Sequence, residues 1–335
     1  MASPEKTIAF IGLGVMGYPM AVNLRSKLDP EYTLLICDVS EDVVKRFQAQ
    51  MDGKGPVEVV RNGFEAVKRA NMVISMLPDT PAVKAVYLDR TSGILAGARA
   101  AASSASSPQD EIIIECGTIE TATILDVARA TKETASSLNP SSNTLTFIDA
   151  PVSGGPMGAQ AGTLAFMVGC HSSDPIFPKV KQVLSHIGKP ESIFPCGPIG
   201  SGTAFKITND YLSAITSLAA SEALNIGVKI GLDPKLLTDV INASGGQCWV
   251  TSRSNPVPGV QGDAPASRGY EGGFRIELCK KVLRMGSELA GMVGARTVLD
   301  GPALGAFEEA SRDERYRGKD ARVVYKWLSE SERRE

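Results

Sequence analysis

The feature that most narrows what this chain can fold into is the junction between Thr7-Ile8-Ala9-Phe10-Ile11 and Gly12-Leu13-Gly14-Val15-Met16-Gly17. The first five residues form a short apolar run, the kind found in a strand buried on both faces of a parallel sheet. Beyond the glycines, Met20-Ala21-Val22-Asn23-Leu24 continues at helical spacing. A G-x-G-x-x-G pattern is a weak signal alone, because glycine-rich turns are common. Set between a strand and a helix, it predicts a dinucleotide cradle. Gly12 permits the tight turn, Gly14 lets the backbone approach a pyrophosphate, and Gly17 allows the helix to pack closely on the strand. The helix N-terminus then faces the phosphates, and Leu13, Val15 and Met16 complete the cofactor-binding turn.

The next apolar run, Thr33-Leu34-Leu35-Ile36-Cys37, ends at Asp38, 21 residues after Gly17. A carboxylate there accepts hydrogen bonds from the adenine-ribose hydroxyls and repels a 2′-phosphate, so NAD is expected over NADP. The plainer alternative for Asp38 is a helix cap or turn residue. Strand and helix patterns go on alternating: helix over 59–70, strand over 72–77, helix to Leu88, strand over 111–115, helix over 120–136, strand over 144–148. Residues 95–109, rich in Ala and Ser, are expected to form a loose surface insertion. Such alternation predicts a doubly wound, mostly parallel α/β sheet.

In that architecture ligands lie beyond the C-terminal ends of the strands, so Leu77-Pro78, Thr118 and the turn after Asp149 should face the cofactor. In that last turn, Ser153-Gly154-Gly155 offers a hydroxyl and unobstructed backbone N–H groups, which can nest a carboxylate. A plain flexible loop is the alternative. A strand over 162–169, a helix over 176–186 and a strand over 192–196 complete an expected Rossmann domain spanning 1–197.

From 198 to 335 the pattern turns helical. A run of about 25 residues begins near Gly202, longer than an ordinary globular helix and suited to a bridge or an oligomer core. Its first turns hold Lys206, with Asn209 and Asp210 three and four residues later on the same face. Most helical lysines are solvated. One set among Phe205, Ile207 and Leu212 on a buried face is desolvated, and a desolvated amine is suited to proton exchange. Asp233-Pro234 should cap a helix over 235–244, and 245–273 looks rich in loops. A helix over 274–292 carries Lys280 and Lys281, and shorter helices over 303–312 and 320–329 follow.

Composition excludes several function classes. A chain of 335 residues suggests two domains. Its 35 basic and 37 acidic residues are intermixed, which argues against nucleic acid or an anionic membrane as partner. No apolar run reaches a membrane span. Six scattered cysteines and only His171 and His186 argue for reduced thiols and against metal sites or histidine triads. With the first strand starting near Lys6, a transit peptide is not expected within this chain. The expected location is cytoplasmic, or the mitochondrial matrix if a presequence was removed.

Together these residues resemble the β-hydroxyacid dehydrogenase family. The likeness runs in order through Gly12–Ala21, Cys116-Gly117-Thr118, Asp149–Gly155, Gly162–Gly169, the Lys206 helix and Lys281. Asn255-Pro256-Val257-Pro258-Gly259-Val260, followed by Tyr270-Glu271-Gly272-Gly273-Phe274, resembles the branch acting on 3-hydroxyisobutyrate. The resemblance implies an all-helical C-terminal domain and a homodimer or homotetramer. It also implies NAD-dependent, reversible oxidation of a short 3-hydroxy acid, foremost 3-hydroxyisobutyrate to methylmalonate semialdehyde in valine catabolism. It casts Lys206 as catalytic acid/base with Asn209 placing the substrate. Ser153, Gly154, Gly155 and Asp210 then line the substrate, and Thr118 and Lys281 sit on the nicotinamide side. The chain departs from the family pattern at Asp210, where a second asparagine is usual. It departs again at Val282, where an acid usually follows the lysine, and at Ala82, where that branch tends to have asparagine. An acid at 210 can pair with Lys206 or repel a carboxylate. Reductases of tartronate semialdehyde or cyclic imines, and a catalytically silent NAD-binding module, are the alternatives. Lys206 counts against the imine enzymes and the silent module.

Overall fold

The computed structural model describes residues 3–104, 109–138 and 143–331. The chain divides into two compact units, residues 1–206 and 207–335.

The first unit runs β1 (Thr7–Ile11), α1 (Gly17–Lys27), β2 (Thr33–Cys37), α2 (Glu41–Gln50), β3 (Val57–Val59), α3 (Gly63–Arg69), β4 (Met72–Ser75), α4 (Thr80–Leu88), α5 (Ile94–Ser104), β5 (Gln109–Glu115), α6 (Thr121–Ser137) and β6 (Asn143–Asp149). These six strands form one sheet in the order β3-β2-β1-β4-β5-β6, with every pairing parallel. The order reverses at β1, so the ends of β1 and β4 open a crevice where ligands bind in such sheets. Side chains alternate between the two faces of a strand, and both faces are buried. Ile8, Phe10, Leu34, Ile36, Ile74 and Ile114 pack with α1 and α2 on one side, while Ala9, Ile11, Leu35, Val73, Ile113 and Phe147 pack with α3 to α6 on the other. That double burial is why these strands are continuous apolar runs.

A second sheet follows, built from β7 (Val152–Ser153), β8 (Leu164–Val168) and β9 (Gly188–Pro195), with α7 (Gly155–Ala161) and α8 (Phe177–Leu184) between them. β7 pairs antiparallel with β8, and β8 pairs parallel with β9.

Two expectations are corrected here, and one alternative is set aside. The described part of 95–109 is helix α5 up to Ser104, with Ile94 and Leu95 buried, and Gln109 at the start of β5; 105–108 lie outside the described residues. Small side chains there serve close packing: a Cβ on Gly97 would sit 2.6 Å from the Phe64 carbonyl oxygen of α3. Residues 59–70 are the end of edge strand β3 and a shorter helix, α3, capped by Asn62 accepting the Glu65 N–H at 3.0 Å. The turn after Asp149 is a short strand and helix rather than a plain loop.

The helix α9 (Ser201–Lys229) spans 29 residues and carries the chain into the second unit. There it is followed by α10 (Pro234–Asn242), α11 (Trp249–Arg253), α12 (Ile276–Met292), α13 (Asp300–Arg312) and α14 (Val324–Glu330). Asp233 caps α10 as its sequence suggests, accepting the Leu236 N–H at 2.8 Å. The stretch 245–273 is less irregular than expected. It includes α11, started by Thr251 folding back on Cys248, and a 3-10 turn at Pro265–Arg268. One core joins α9, α12, α13 and α14 through Ala214, Leu283, Phe307 and Val324. α9 and α12 touch closely because Gly286 lacks a Cβ, which would lie 2.4 Å from the Tyr211 ring.

Candidate functional site

The glycine turn is shaped by contacts that only hydrogen at Cα allows. Gly12 has φ +94, its N–H bonds the Cys37 carbonyl at 2.8 Å, and a Cβ there would lie 2.4 Å from the Met76 carbonyl oxygen. A Cβ on Gly17 would lie 1.9 Å from the Gly12 carbonyl oxygen, so α1 begins directly against the turn. Gly14, by contrast, has nothing within 4 Å of where a Cβ would be. The open side of the turn is therefore the side a pyrophosphate would approach. Leu13 and Met16 face inward against the core, and Val15 stands 77% exposed beside the opening.

Asp38 joins the end of β2 to this turn. Its Oδ2 accepts the Leu13 N–H at 2.6 Å and its Oδ1 the Ser40 N–H at 2.8 Å. The turn role and the ribose role are compatible, because a carboxylate has about four acceptor positions and these bonds use one on each oxygen. Asp38 is half-buried, and Val39 beside it is fully exposed. A cradle cleared of Cβ atoms and an adjacent carboxylate with acceptor capacity left fit a dinucleotide.

The turns after β4 and β5 carry Leu77 (buried), Pro78 (exposed) and Thr118 (half-buried). Both are tied to a residue the sequence reasoning passed over. Glu115, at the end of β5, has no exposed surface. Its Oε1 accepts the Gly117 N–H at 2.7 Å, and the Leu77 N–H and the Ser75 and Tyr87 hydroxyls also bond this carboxyl. Ser75 Oγ lies 2.5 Å from Oε2 and 2.6 Å from the Tyr87 hydroxyl. Burial pushes the Glu115 carboxyl up to about 7, against the pull of these donors. A glutamate ending the run Ile112-Ile113-Ile114 was the available signal, since a buried acid must find partners.

Ser153 ends β7 half-buried, followed by Gly154 at φ +132 and Gly155 at φ +61. Both glycines occupy backbone regions closed to most side chains. The helix they start is braced on the cofactor helix: Asn23 of α1 donates to the Ala159 carbonyl at 2.8 Å and the Gln160 carbonyl at 3.1 Å.

Lys206 lies in the second turn of α9 and is buried, 9% exposed. Its buried neighbours along the helix are Thr203 and Ile207; Phe205 and Leu212, expected on the same face, are 59% and 62% exposed. Asn209 is exposed and Asp210 buried, with the Asn209 amide donating to Asp210 Oδ1 at 3.1 Å. So the i, i+4 pair Lys206 and Asp210 share the buried side while Asn209 lies off it. Lys281 is half-buried on α12, and Val282, where the family pattern has an acid, is buried at 3% exposure. The first unit thus contains the glycine cradle, both strand-end turns, the Ser153 turn and Lys206. Asn209, Asp210 and Lys281 belong to the second unit.

A sheet of this order, with its glycine turn at the point of reversal, defines a dinucleotide-binding protein of the Rossmann class. Comparison with known proteins narrows this. Residues 7–200 match the NAD binding domain of 6-phosphogluconate dehydrogenase, and residues 200–328 match the family described as NAD-binding of NADP-dependent 3-hydroxyisobutyrate dehydrogenase. A probable mitochondrial 3-hydroxyisobutyrate dehydrogenase of Dictyostelium discoideum is 36% identical over 98% of this chain and 92% of its own length. An NAD-dependent L-serine dehydrogenase of Pseudomonas aeruginosa is 35% identical over 96% of this chain and 97% of its own. Among solved structures, a 3-hydroxyisobutyrate dehydrogenase of Mycobacterium tuberculosis, determined with L-serine, superposes with a TM-score of 0.81 at 30% identity, covering 97% of this chain and 99% of that one. The chain belongs to the β-hydroxyacid dehydrogenase family, among the 3-hydroxyisobutyrate dehydrogenases and their close relatives. Among the described residues no helix is long and apolar enough to cross a membrane, and no cluster of His, Cys, Asp or Glu could hold a metal.

Proposed function

We propose that this protein catalyses the reversible NAD-dependent oxidation of 3-hydroxyisobutyrate to methylmalonate semialdehyde, with Lys206 as the acid/base. The observation that carries the proposal is a lysine held in the buried second turn of α9, within a chain whose glycine turn is cleared for a dinucleotide. Bound NAD supplies the hydride acceptor for the carbinol carbon. The Lys206 amine takes the hydroxyl proton as the carbonyl forms and returns it in the reverse direction. Ser153 and the N–H groups around Gly154 and Gly155 hold the substrate carboxylate, whose negative charge suits a backbone nest. Asn209 orients the hydroxyl-bearing end, while Thr118 and Lys281 border the nicotinamide. Gly12 to Gly17, Asp38, Leu77 and Pro78 bind the cofactor, with Asp38 selecting NAD over NADP. The helical segment from 198 onward serves substrate binding and self-association. Exposed Ile226 on α9, Ile230 just beyond it, and Leu236 and Val240 on α10 support a homodimer or homotetramer. This reaction would serve valine catabolism, in the cytoplasm or, if a presequence was removed, in the mitochondrial matrix, a compartment that relatives named as mitochondrial support.

A second substrate, L-serine, is favoured by one observation. Asp210 places a buried carboxylate one helical turn after Lys206, and a carboxylate complements an ammonium group at C2. Steady-state kinetics on 3-hydroxyisobutyrate, L-serine, 3-hydroxypropionate and glycerate, each with NAD and NADP, separates the readings. Lys206→Ala should lower kcat by roughly two powers of ten or more with little change in NAD binding. Wild-type turnover in that variant would remove the role given to Lys206.

A further inference from the structure

We propose that Asp149 is a positioning residue that sets where Lys206 presents its amine; this rests on the acid/base role given to Lys206 above. Asp149 ends β6 with no exposed surface. Its Oδ1 accepts the Gly200 N–H at 2.7 Å and its Oδ2 the Thr203 N–H at 2.7 Å. Those amides flank the start of α9, where backbone N–H groups have no partner inside the helix. The cap is thus not a neighbour in sequence but a carboxylate 51 residues upstream, and its bonds are charge-assisted. Burial pushes the Asp149 carboxyl up, and the Gly200 and Thr203 amides pull it back.

The space for this carboxylate is made by two glycines. A Cβ on Gly169 would lie 1.9 Å from Asp149 Oδ1; one on Gly202 would lie 3.0 Å from Oδ2 and 2.1 Å from the Met167 carbonyl oxygen. The Asp149 backbone is fixed as well, its carbonyl accepting the Gly169 N–H at 2.7 Å. Helix start, strand end and second sheet therefore meet at one side chain. Lys206 follows Thr203 by three residues, so a shift of the helix start carries the amine with it. Proton transfer tolerates little such shift, because a misplacement of about 1 Å can cost about a hundredfold in rate. The same residue leads through Pro151 into Ser153, so the carboxylate nest and the lysine take their positions from a common point.

The test uses Asp149→Asn, whose side chain has the same shape but keeps an acceptor for only one of the two amides. NADH binding, followed by fluorescence titration, should stay within about twofold and KM for the hydroxy acid within about threefold, while kcat falls about thirtyfold. In a Lys206→Ala background the same change should cost less than about twofold, because groups acting as a unit are not additive. Hydrogen exchange in the peptide spanning 200–208 should accelerate about tenfold or more, with the β1–α1 peptide unchanged. Gly202→Ala, whose methyl would lie 2.1 Å from the Met167 carbonyl oxygen and 3.0 Å from Asp149 Oδ2, forces the helix start away from this anchor while keeping the carboxylate, and should reproduce the loss in kcat. Unchanged kcat, an equal loss in the Lys206→Ala background, or unchanged exchange would each overturn the proposal. If the wild type turns over none of the substrates, the functional reading fails separately, and the exchange measurement decides whether Asp149 anchors the helix.

Discussion

Glu115→Gln should remove one defined share of the pH dependence of the first unit's stability. The Glu115 carboxyl lies about 2.5 units above its ordinary value, rising from 4.5 to about 7 because it is buried. At 1.36 kcal/mol per unit this is about 3 kcal/mol of preference for the protonated form in the folded state. A raised carboxyl stabilises the fold most below its unfolded value and loses that contribution as pH rises through the folded value, so the wild type weakens from about pH 4.5 to about pH 7.5. About 2–3 kcal/mol of the loss falls between pH 5 and pH 8 on this linkage. Glutamine fits the same partners: its oxygen can accept from the Gly117 and Leu77 N–H groups and its amide can donate to Ser75, which has the Ile114 carbonyl as an alternative acceptor. The variant should therefore exceed the wild type by only about 1 kcal/mol near pH 5 and by about 3 kcal/mol near pH 8. Urea unfolding at both pH values, with the difference taken between the two proteins, is the measurement. Glu111, also buried and pushed up to about 8, contributes to both proteins alike and cancels. A difference that does not change with pH would refute the assignment of proton binding to Glu115.

Other outcomes follow from single contacts. Gly17→Ala places a methyl where only 1.9 Å separates it from the Gly12 carbonyl oxygen, and calorimetry should show NAD binding weakened by about 1–3 kcal/mol. Asp38→Asn removes the charge proposed to face the adenine ribose while leaving an acceptor for Leu13 or Ser40. The ratio of kcat/KM for NAD over NADP should fall about tenfold, the size of about 1.4 kcal/mol of repulsion. Arg25, with no exposed surface, donates to the Tyr32, Leu28 and Asp29 carbonyls at the end of α1. Arg25→Met should cost about 2–4 kcal/mol in urea unfolding by leaving them without that partner.

The parts of the fold legible in the sequence were those whose cause is local. β1 and β2 are continuous apolar runs because both faces of the sheet are covered, and the glycine turn shows itself because tight turns require glycine. α5 was misjudged because Ala and Ser resemble linker composition, whereas here small side chains let a helix lie against Phe64. The buried acids were harder still. Asp149, Glu115 and Asp320 each hold a turn, and their partners are fixed by the fold rather than by spacing. Asp320, for instance, reaches back 46 residues to the Phe274 N–H and fills space left by Gly273, where a Cβ would lie 2.3 Å from its oxygen. A sequence shows that such an acid is costly to bury; it does not show what it will meet. Lys206 was recognisable as a buried amine, but its neighbours Phe205 and Leu212 proved exposed, because at about 100° per residue the positions one before and six after it point well away from its side of the helix.

The carboxylate at the end of β6 also bears on how such chains can be recombined. The two family segments meet at Gly200, the residue whose amide Asp149 holds. A chimaera joined there would pair this strand end with a helix start selected beside a different acid, and the graft would carry the lysine without its reference point. A junction placed after Lys206 keeps the acid, the clearances at Gly169 and Gly202, and the amides of Gly200 and Thr203 in one inherited block. By that measure the lysine, though it stands in the segment matched by the helical family, travels with the sheet.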